Sequence, residues 1–111
     1  NQMINYLPTV SGVGHASLYT GAGPATHGIA CNTFYKDGKF VYCCDDENEQ
    51  TVGSKSKVGA MSPRNMMSTT IGDMLRQATN FKAKVYGVAL KDRAAILPAG
   101  HSANCAYWYD K

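Results

Sequence analysis

Three things are scarce in this sequence, and each scarcity closes off a class of protein. Charge is thin: 17% of the 111 residues are Asp, Glu, Lys or Arg, with a formal net charge of +3, against roughly 25% charged in ordinary globular domains. The basic residues are scattered, and Lys55 and Lys57 come nearest to a run. A nucleic-acid-binding surface needs a denser cationic stripe, so no nucleic-acid scaffold is expected as a partner. Long apolar runs are also missing. No stretch approaches the roughly 20 residues of a membrane span, so none is expected. The sequence opens on Asn1 with no charged-then-apolar leader. The expectation is that a leader has been removed or that the chain was cut from something longer.

Cysteine is present but lacks a metal-binding rhythm. Cys31, Cys43, Cys44 and Cys105 show no zinc-knuckle spacing. If the segment around Cys43 and Cys44 is a strand, the two point to opposite faces and cannot share one tetrahedral site. They read as small buried hydrophobes, with room for one disulfide. His15, His27 and His101 are scattered and lack paired carboxylates, so each reads as a hydrogen-bonded structural histidine. Tyr107-Trp108-Tyr109 reads as packing rather than a base-stacking platform, given the thin positive charge.

What is present alternates between helix and strand. Pro8 to His15 is a polar, glycine-rich turn running into a short helix over Ala16–Thr20, which Gly21, Gly23 and Pro24 stop. Thr33-Phe34-Tyr35 and Lys39 to Cys43 flank Asp37-Gly38, a strong hairpin signal because Gly accepts the positive φ of a tight turn. Asp45 to Pro63 is polar and reads as a long loop, a length uncommon unless the loop is functional or packed on a neighbour. Ile71, Met74, Leu75 and Ala78 form one helical stripe, with a capping-box spacing at Thr70 and Asp73 and a stop at Asn80. Lys84 to Leu90 reads as a buried strand, followed by Lys91-Asp92-Arg93, a short helix closed by Pro98, and a last strand within 103–109. Helix, strand and polar residues at a strand's carboxyl end describe an open α/β sheet.

Two constellations can carry chemistry. Ser11 at a helix start would sit near unpaired N–H groups and the positive end of the helix dipole. That place suits a phosphate, and Gly12 and Gly14 would let the backbone approach it. Equally, Ser11 could simply cap the helix. Lys91 and Arg93, just past a strand, could converge on one anion, Arg as a fork and Lys as a compact charge. Alternatively, Asp92 caps the next helix while its neighbours face water. Asn32 alone is uninformative, since most loop asparagines make local turns.

Taken together, the segments resemble a known family. Pro8-Thr9-Val10-Ser11-Gly12-Val13-Gly14-His15-Ala16-Ser17-Leu18-Tyr19-Thr20-Gly21, then Pro24-Ala25-Thr26-His27-Gly28-Ile29 and Asn32, resemble the type I phosphodiesterase/nucleotide pyrophosphatase branch of the alkaline phosphatase superfamily. The nearer likeness is to its exported single-chain bacterial alkaline phosphatases. Ser62-Pro63-Arg64-Asn65, Ser68 to Ile71, Leu90 to His101 and Ala106-Tyr107-Trp108 share it.

The resemblance implies an α/β fold: part of an alkaline-phosphatase-like sandwich, with helices packed on an open sheet plus a β-hairpin. On that reading residues 1–111 are the N-terminal part of a catalytic domain. It implies Ser11 as nucleophile and as the one zinc-touching group here, with Thr9 as the back-up if the register is off by two. The branch usually has Thr at this place, and Ser can do the same work. Asn32 matches the asparagine that hydrogen-bonds a phosphoryl oxygen. Lys91 and Arg93 match the pair on the remaining oxygens. Diesterase relatives generally lack that pair, so its presence favours phosphate monoesters, with a phosphodiesterase or nucleotide pyrophosphatase as the alternative.

The mechanism implied is two-step phosphoryl transfer at two zinc ions through a phosphoseryl intermediate. The family's remaining Asp and His ligands, an Asp-His pair among them, have no match in this sequence. The expectation is therefore an inactive segment that holds no zinc stably by itself and self-associates, from a periplasmic or otherwise exported parent. A non-catalytic binding or structural module is the reading of a different class.

Overall fold

The computed structural model describes residues 2, 4 and 7–110. Four helices and four strands follow one another: α1 (Ser11–Thr20), α2 (Pro24–His27), β1 (Thr33–Lys36), β2 (Lys39–Tyr42), α3 (Ile71–Ala78), β3 (Tyr86–Val88), α4 (Asp92–Ala99) and β4 (Cys105–Tyr107). A single 3-10 turn, Lys57–Gly59, interrupts the polar loop between β2 and α3.

Helix α1 begins at Ser11, five residues ahead of the sequence expectation. Gly12 and Gly14 are poor helix formers, but a distant side chain makes up the deficit. The Gly12 N–H donates to Asn32 Oδ1 at 2.7 Å, so an asparagine 20 residues away caps the first turn. At the other end Gly21 takes φ 66° and returns its N–H to the Ser17 carbonyl, the left-handed stop the sequence predicts.

β1 and β2 form the expected hairpin, with Thr33 opposite Tyr42 and Lys36 opposite Lys39. Its turn residues Asp37 and Gly38 both have positive φ, 50° and 82°, the signature of a type I′ turn that matches strand twist. Past the named strands, Cys43 N–H donates to the Asn32 carbonyl at 2.8 Å, so the hairpin register places Asn32 and Cys43 side by side.

β3 and β4 pair in parallel, Gly87 opposite Ala106, and α4 is the crossover a parallel pair requires. Gly87 lies so close to α4 that a Cβ there would run into the Ala95 carbonyl oxygen. The open sheet of the expectation is present as these two strands. The core gathers Ala16, Ile29, Cys43, Cys44, Met66, Ile96 and Leu97, with Trp108 and Tyr42 packed on its rim.

Two apolar segments look outward, and for the β3 run this overturns the buried strand that was expected. Ile71, Met74 and Leu75 of α3 do form one stripe, but they are 71%, 54% and 50% exposed. The β3 run is not buried either: Tyr86 and Val88 point outward and only Gly87 is enclosed. In the described residues α3 instead turns Asp73 inward. Thr70 and Asp73 complete the predicted capping box, and the Asp73 carboxylate also accepts from the backbone N–H groups of His101 and Ser102.

Candidate active site

The hairpin, the start of α1 and the start of α4 meet at one corner. Val10, not Ser11, is the N-cap of α1, and no side chain of that turn caps it. The capping alternative for Ser11 is therefore not what the structure shows. Ser11 stands at the first helical position, half-buried, and its hydroxyl has no hydrogen-bond partner among the described residues. Thr9 lies two residues outside the turn, exposed.

Asn32 is fixed by logic as well as distance. Gly12 N–H can only donate, so the side-chain atom facing it is the carbonyl oxygen and the amide NH2 is turned away. Among the described residues that NH2 has no hydrogen-bond partner, and Asn32 reaches the turn of Ser11 through the neighbouring Gly12. The fit is tight: a Cβ on Gly12 would lie 3.0 Å from Asn32 Oδ1, 3.2 Å from the Cys31 carbonyl and 3.2 Å from Cys43 Sγ. Here glycine is required by close approach. The helix end is thus not the open anion cradle the sequence suggested, because Asn32 already occupies one of its N–H groups.

Arg93 comes from the first turn of α4 and does not face water. Its side chain is only 20% exposed. Nη1 donates to the Tyr42 hydroxyl at 2.7 Å, and the same hydroxyl donates to the Asp92 carboxylate, 2.8 and 2.9 Å from its two oxygens. Asp92 in turn pairs with Arg93 at 3.5 Å, and its Oδ1 accepts the Arg93 backbone N–H. Burial opposes charge on Arg93, but Tyr42 and Asp92 outweigh it and hold the guanidinium above its ordinary pKa. Burial together with Asp92 raises the Tyr42 pKa well above the ordinary phenol value, so the hydroxyl stays neutral and both donates and accepts. Lys91 is the N-cap residue of α4 and is exposed. It stands beside this group and makes no ion pair among the described residues.

Cys43 bridges the two halves of the corner. Its sulfur touches the Gly12 side, and its thiol feels the charges of Asp92 and Arg93. Cys43 and Cys44 follow β2 in a turn rather than a strand, so their sulfurs lie 3.9 Å apart and not on opposite faces. That hydrogen bond pulls the Cys43 thiol pKa down and, with burial, pushes that of Cys44 up. Only these two fit the reading of small buried hydrophobes. Cys31 is half-buried, Cys105 is exposed, and all four are free thiols.

The histidines divide. His27 is buried, bonded to Ser17 Oγ at 2.8 Å, and kept below its ordinary pKa by burial. His101 Nε2 meets the Ser68 carbonyl at 3.2 Å. Both are hydrogen-bonded, as expected, while His15 has no side-chain bond among the described residues. Trp108 packs on the core, whereas Tyr107 and Tyr109 are exposed.

The corner therefore joins the turn of Ser11 with Asn32 and Arg93, and leaves Lys91 at its edge. Two concavities, about 660 and 640 Å³, lie elsewhere, under the 49–63 loop and beside the hairpin. Tyr42 and Asp92 were missed from sequence as site residues, because their partnership spans 50 positions.

The model of the type I phosphodiesterase/nucleotide pyrophosphatase family matches residues 1–111. The chain belongs to that family. Alkaline phosphatase PhoV of Synechococcus elongatus is 53% identical over 112 residues, 99% of this chain and 20% of the relative. Alkaline phosphatase PafA of Elizabethkingia meningoseptica is 55% identical over 113 residues, 99% of this chain and 21% of the relative. The chain thus spans about a fifth of the length of the curated relatives it matches.

The crystal structure of wild-type PafA superimposes with a TM-score of 0.94 at 55% identity, covering 99% of this chain and 22% of PafA. That match establishes the phosphatase-like α/β fold. A second PafA structure, TM-score 0.94 at 53% identity, carries a threonine changed to serine and an asparagine, a lysine and an arginine changed to alanine.

Proposed function

We propose that this chain is the N-terminal part of the catalytic domain of a phosphate monoesterase and carries its nucleophile and phosphate clamp. The carrying observation is the corner itself: a Ser11 hydroxyl and an Asn32 amide NH2, both without partners among the described residues, and a largely buried Arg93 guanidinium brought to one edge of the fold. The PafA variant adds support. Its replaced threonine and asparagine are spaced as Ser11 and Asn32 are, and its lysine and arginine as Lys91 and Arg93 are.

On this reading the Ser11 oxygen attacks phosphorus, the P–O bond to the alcohol breaks, and a phosphoseryl enzyme forms. Water then cleaves it to inorganic phosphate and restores the hydroxyl. The Asn32 NH2, the Lys91 ammonium and the Arg93 guanidinium offset charge on the non-bridging oxygens.

Zinc belongs to the proposal only at the level of the whole protein. Among the described residues no three His, Cys, Asp or Glu side chains come together to hold a metal. Among the described residues Ser11 is the one proposed zinc contact, so they do not by themselves fit two zinc ions. Two zincs, with ligands from the remaining length, would supply activation of the serine hydroxyl. The segment by itself is proposed to be inactive, and calorimetric titration showing tight binding of two zincs by the isolated chain would overturn that. Among the described residues no helix is long and apolar enough to cross a membrane, and export is proposed from the family likeness.

Trapping decides the central reading. Full-length protein quenched in acid with labelled para-nitrophenyl phosphate should carry label on Ser11, and Ser11→Ala should lose both label and turnover. Label at another residue sinks it. The phosphodiesterase reading is favoured instead if Lys91→Ala leaves the ratio of monoester to diester hydrolysis unchanged.

A further inference from the structure

We propose that Tyr42 is a positioning residue for phosphate recognition: its hydroxyl, braced by Asp92, fixes the direction in which Arg93 presents its guanidinium. The inference rests on the clamp reading of Arg93 above. Three observations carry it.

First, the Tyr42 hydroxyl is used on both sides. It donates its proton to the Asp92 carboxylate at 2.8 Å and accepts Arg93 Nη1–H at 2.7 Å. A hydroxyl with its proton committed has only lone pairs to offer Arg93, so the direction of that second bond is set. Second, the fork of Arg93 is only partly spent. Nε is buried and has no partner among the described residues, and the guanidinium carbon lies 6.0 Å from the centre of the Tyr42 ring. Tyr42 holds Nη1, and the side chain keeps 20% exposure, so the part of the fork that reaches the surface is what an arriving phosphate oxygen would meet. Third, Tyr42 sits at the end of β2, opposite Thr33, and the next pair along joins Cys43 to Asn32. One hairpin register therefore sets both the amide at Ser11 and the hydroxyl at Arg93. A slip in that register would misplace both phosphate contacts together.

Asp92 also approaches Arg93 directly, at 3.5 Å. That distance is long for a charge-assisted bond, so the hydroxyl and not the carboxylate is the closer hold.

The test is a double-mutant cycle in the full-length protein, with kcat/KM for para-nitrophenyl phosphate and urea midpoints as readouts. Tyr42→Phe keeps the ring and removes the hydroxyl. It should lose about tenfold in kcat/KM, the size expected for a misdirected clamp. In an Arg93→Ala background the same change should cost less than about twofold, since there is no guanidinium left to aim. Asp92→Asn retains an oxygen to accept the tyrosine proton and should lose less than Tyr42→Phe.

An equal loss from Tyr42→Phe in both backgrounds would make the hydroxyl merely structural and overturn the proposal. So would an Asp92→Asn loss as large as that of Arg93→Ala, which would give the hold to the carboxylate. If Arg93→Ala leaves kcat/KM unchanged, the clamp reading falls and this one with it. If Arg93→Ala loses activity and Tyr42→Phe does not, only this one falls.

Discussion

The corner built by α1, the hairpin and α4 is attached to the fold differently from the side built by α3, β3 and β4. At the corner the helices lie on a shared apolar core, with Ala16, Ile96 and Leu97 fully enclosed and polar site groups seated on top. On the α3 side the relation is inverted. The apolar residues Ile71, Met74 and Leu75 look outward, and polar bonds tie α3 down: the buried Asp73 carboxylate, and Arg76 Nη1 donating to the Ala83 carbonyl and Asn104 Oδ1. Apolar packing is diffuse and tolerates small shifts, whereas a carboxylate holding three backbone N–H groups depends on a single residue. The corner should therefore fail in function before it fails in stability, and α3 should fail in stability first.

The largest effect belongs to Asp73. It accepts from Thr70 N at 3.0 Å, His101 N at 3.1 Å and Ser102 N at 2.6 Å. Burial pushes its carboxyl pKa up, but these three donors together outweigh burial and hold it below the ordinary value. Asp73→Asn turns an NH2 group toward N–H donors and should cost about 3 kcal/mol in urea unfolding. A depressed folded pKa means this stabilisation is complete above the unfolded carboxylate value and disappears as pH falls through the folded one. The acid limb of a stability–pH curve should flatten in Asp73→Asn. If both proteins lose stability alike below pH 4, Asp73 is not the tether.

A smaller effect tests the corner. Gly12→Ala places a methyl 3.0 Å from Asn32 Oδ1 and 3.2 Å from Cys43 Sγ. Neighbours must give by a few tenths of an ångström, a cost of about 1–2 kcal/mol. The same shift moves Asn32 away from Ser11, so phosphatase activity of the full-length protein should fall by about tenfold or more. A stability loss with full activity would contradict the contrast between the two regions.

How far the sequence reveals this contrast depends on how far apart the partners lie. Asp37-Gly38 announces its hairpin because the turn's positive φ values are a property of two adjacent residues. Thr70 and Asp73 announce their cap for the same reason. The α1 start was misplaced because its cap, Asn32, is remote in the chain, and no local rule connects it with Gly12. The stripe on α3 was found correctly as a stripe, but a helical period tells which residues share a side and not what that side meets. Ser11 and the Lys91/Arg93 pair drew attention through local position, at a helix start and past a strand, whereas Asn32 was singled out only through the family resemblance. Tyr42 was singled out by neither, since in a hairpin an alternating aromatic looks like any other strand residue, and its meaning comes from Asp92 fifty positions on.

The smallest expected stability effect is also the sharpest test of the inverted side. Leu75 is half exposed on α3, next to Met74 and one turn from Ile71. Replacing it with Glu removes little buried area, so the unfolding free energy of the isolated chain should change by no more than about 0.5 kcal/mol. An apolar stripe open to water invites cover, and for the chain alone the cover at hand is a second copy. Sedimentation should show the wild-type segment associating as concentration rises and Leu75→Glu remaining monomeric. If further chain covers this face in the full-length protein, the same substitution should become costly there, about 2 kcal/mol or more, because it would bury a charge without a partner. An equal and negligible cost in both settings would mean the stripe faces solvent throughout, and α3 would then rest on its polar bonds through Asp73 and Arg76.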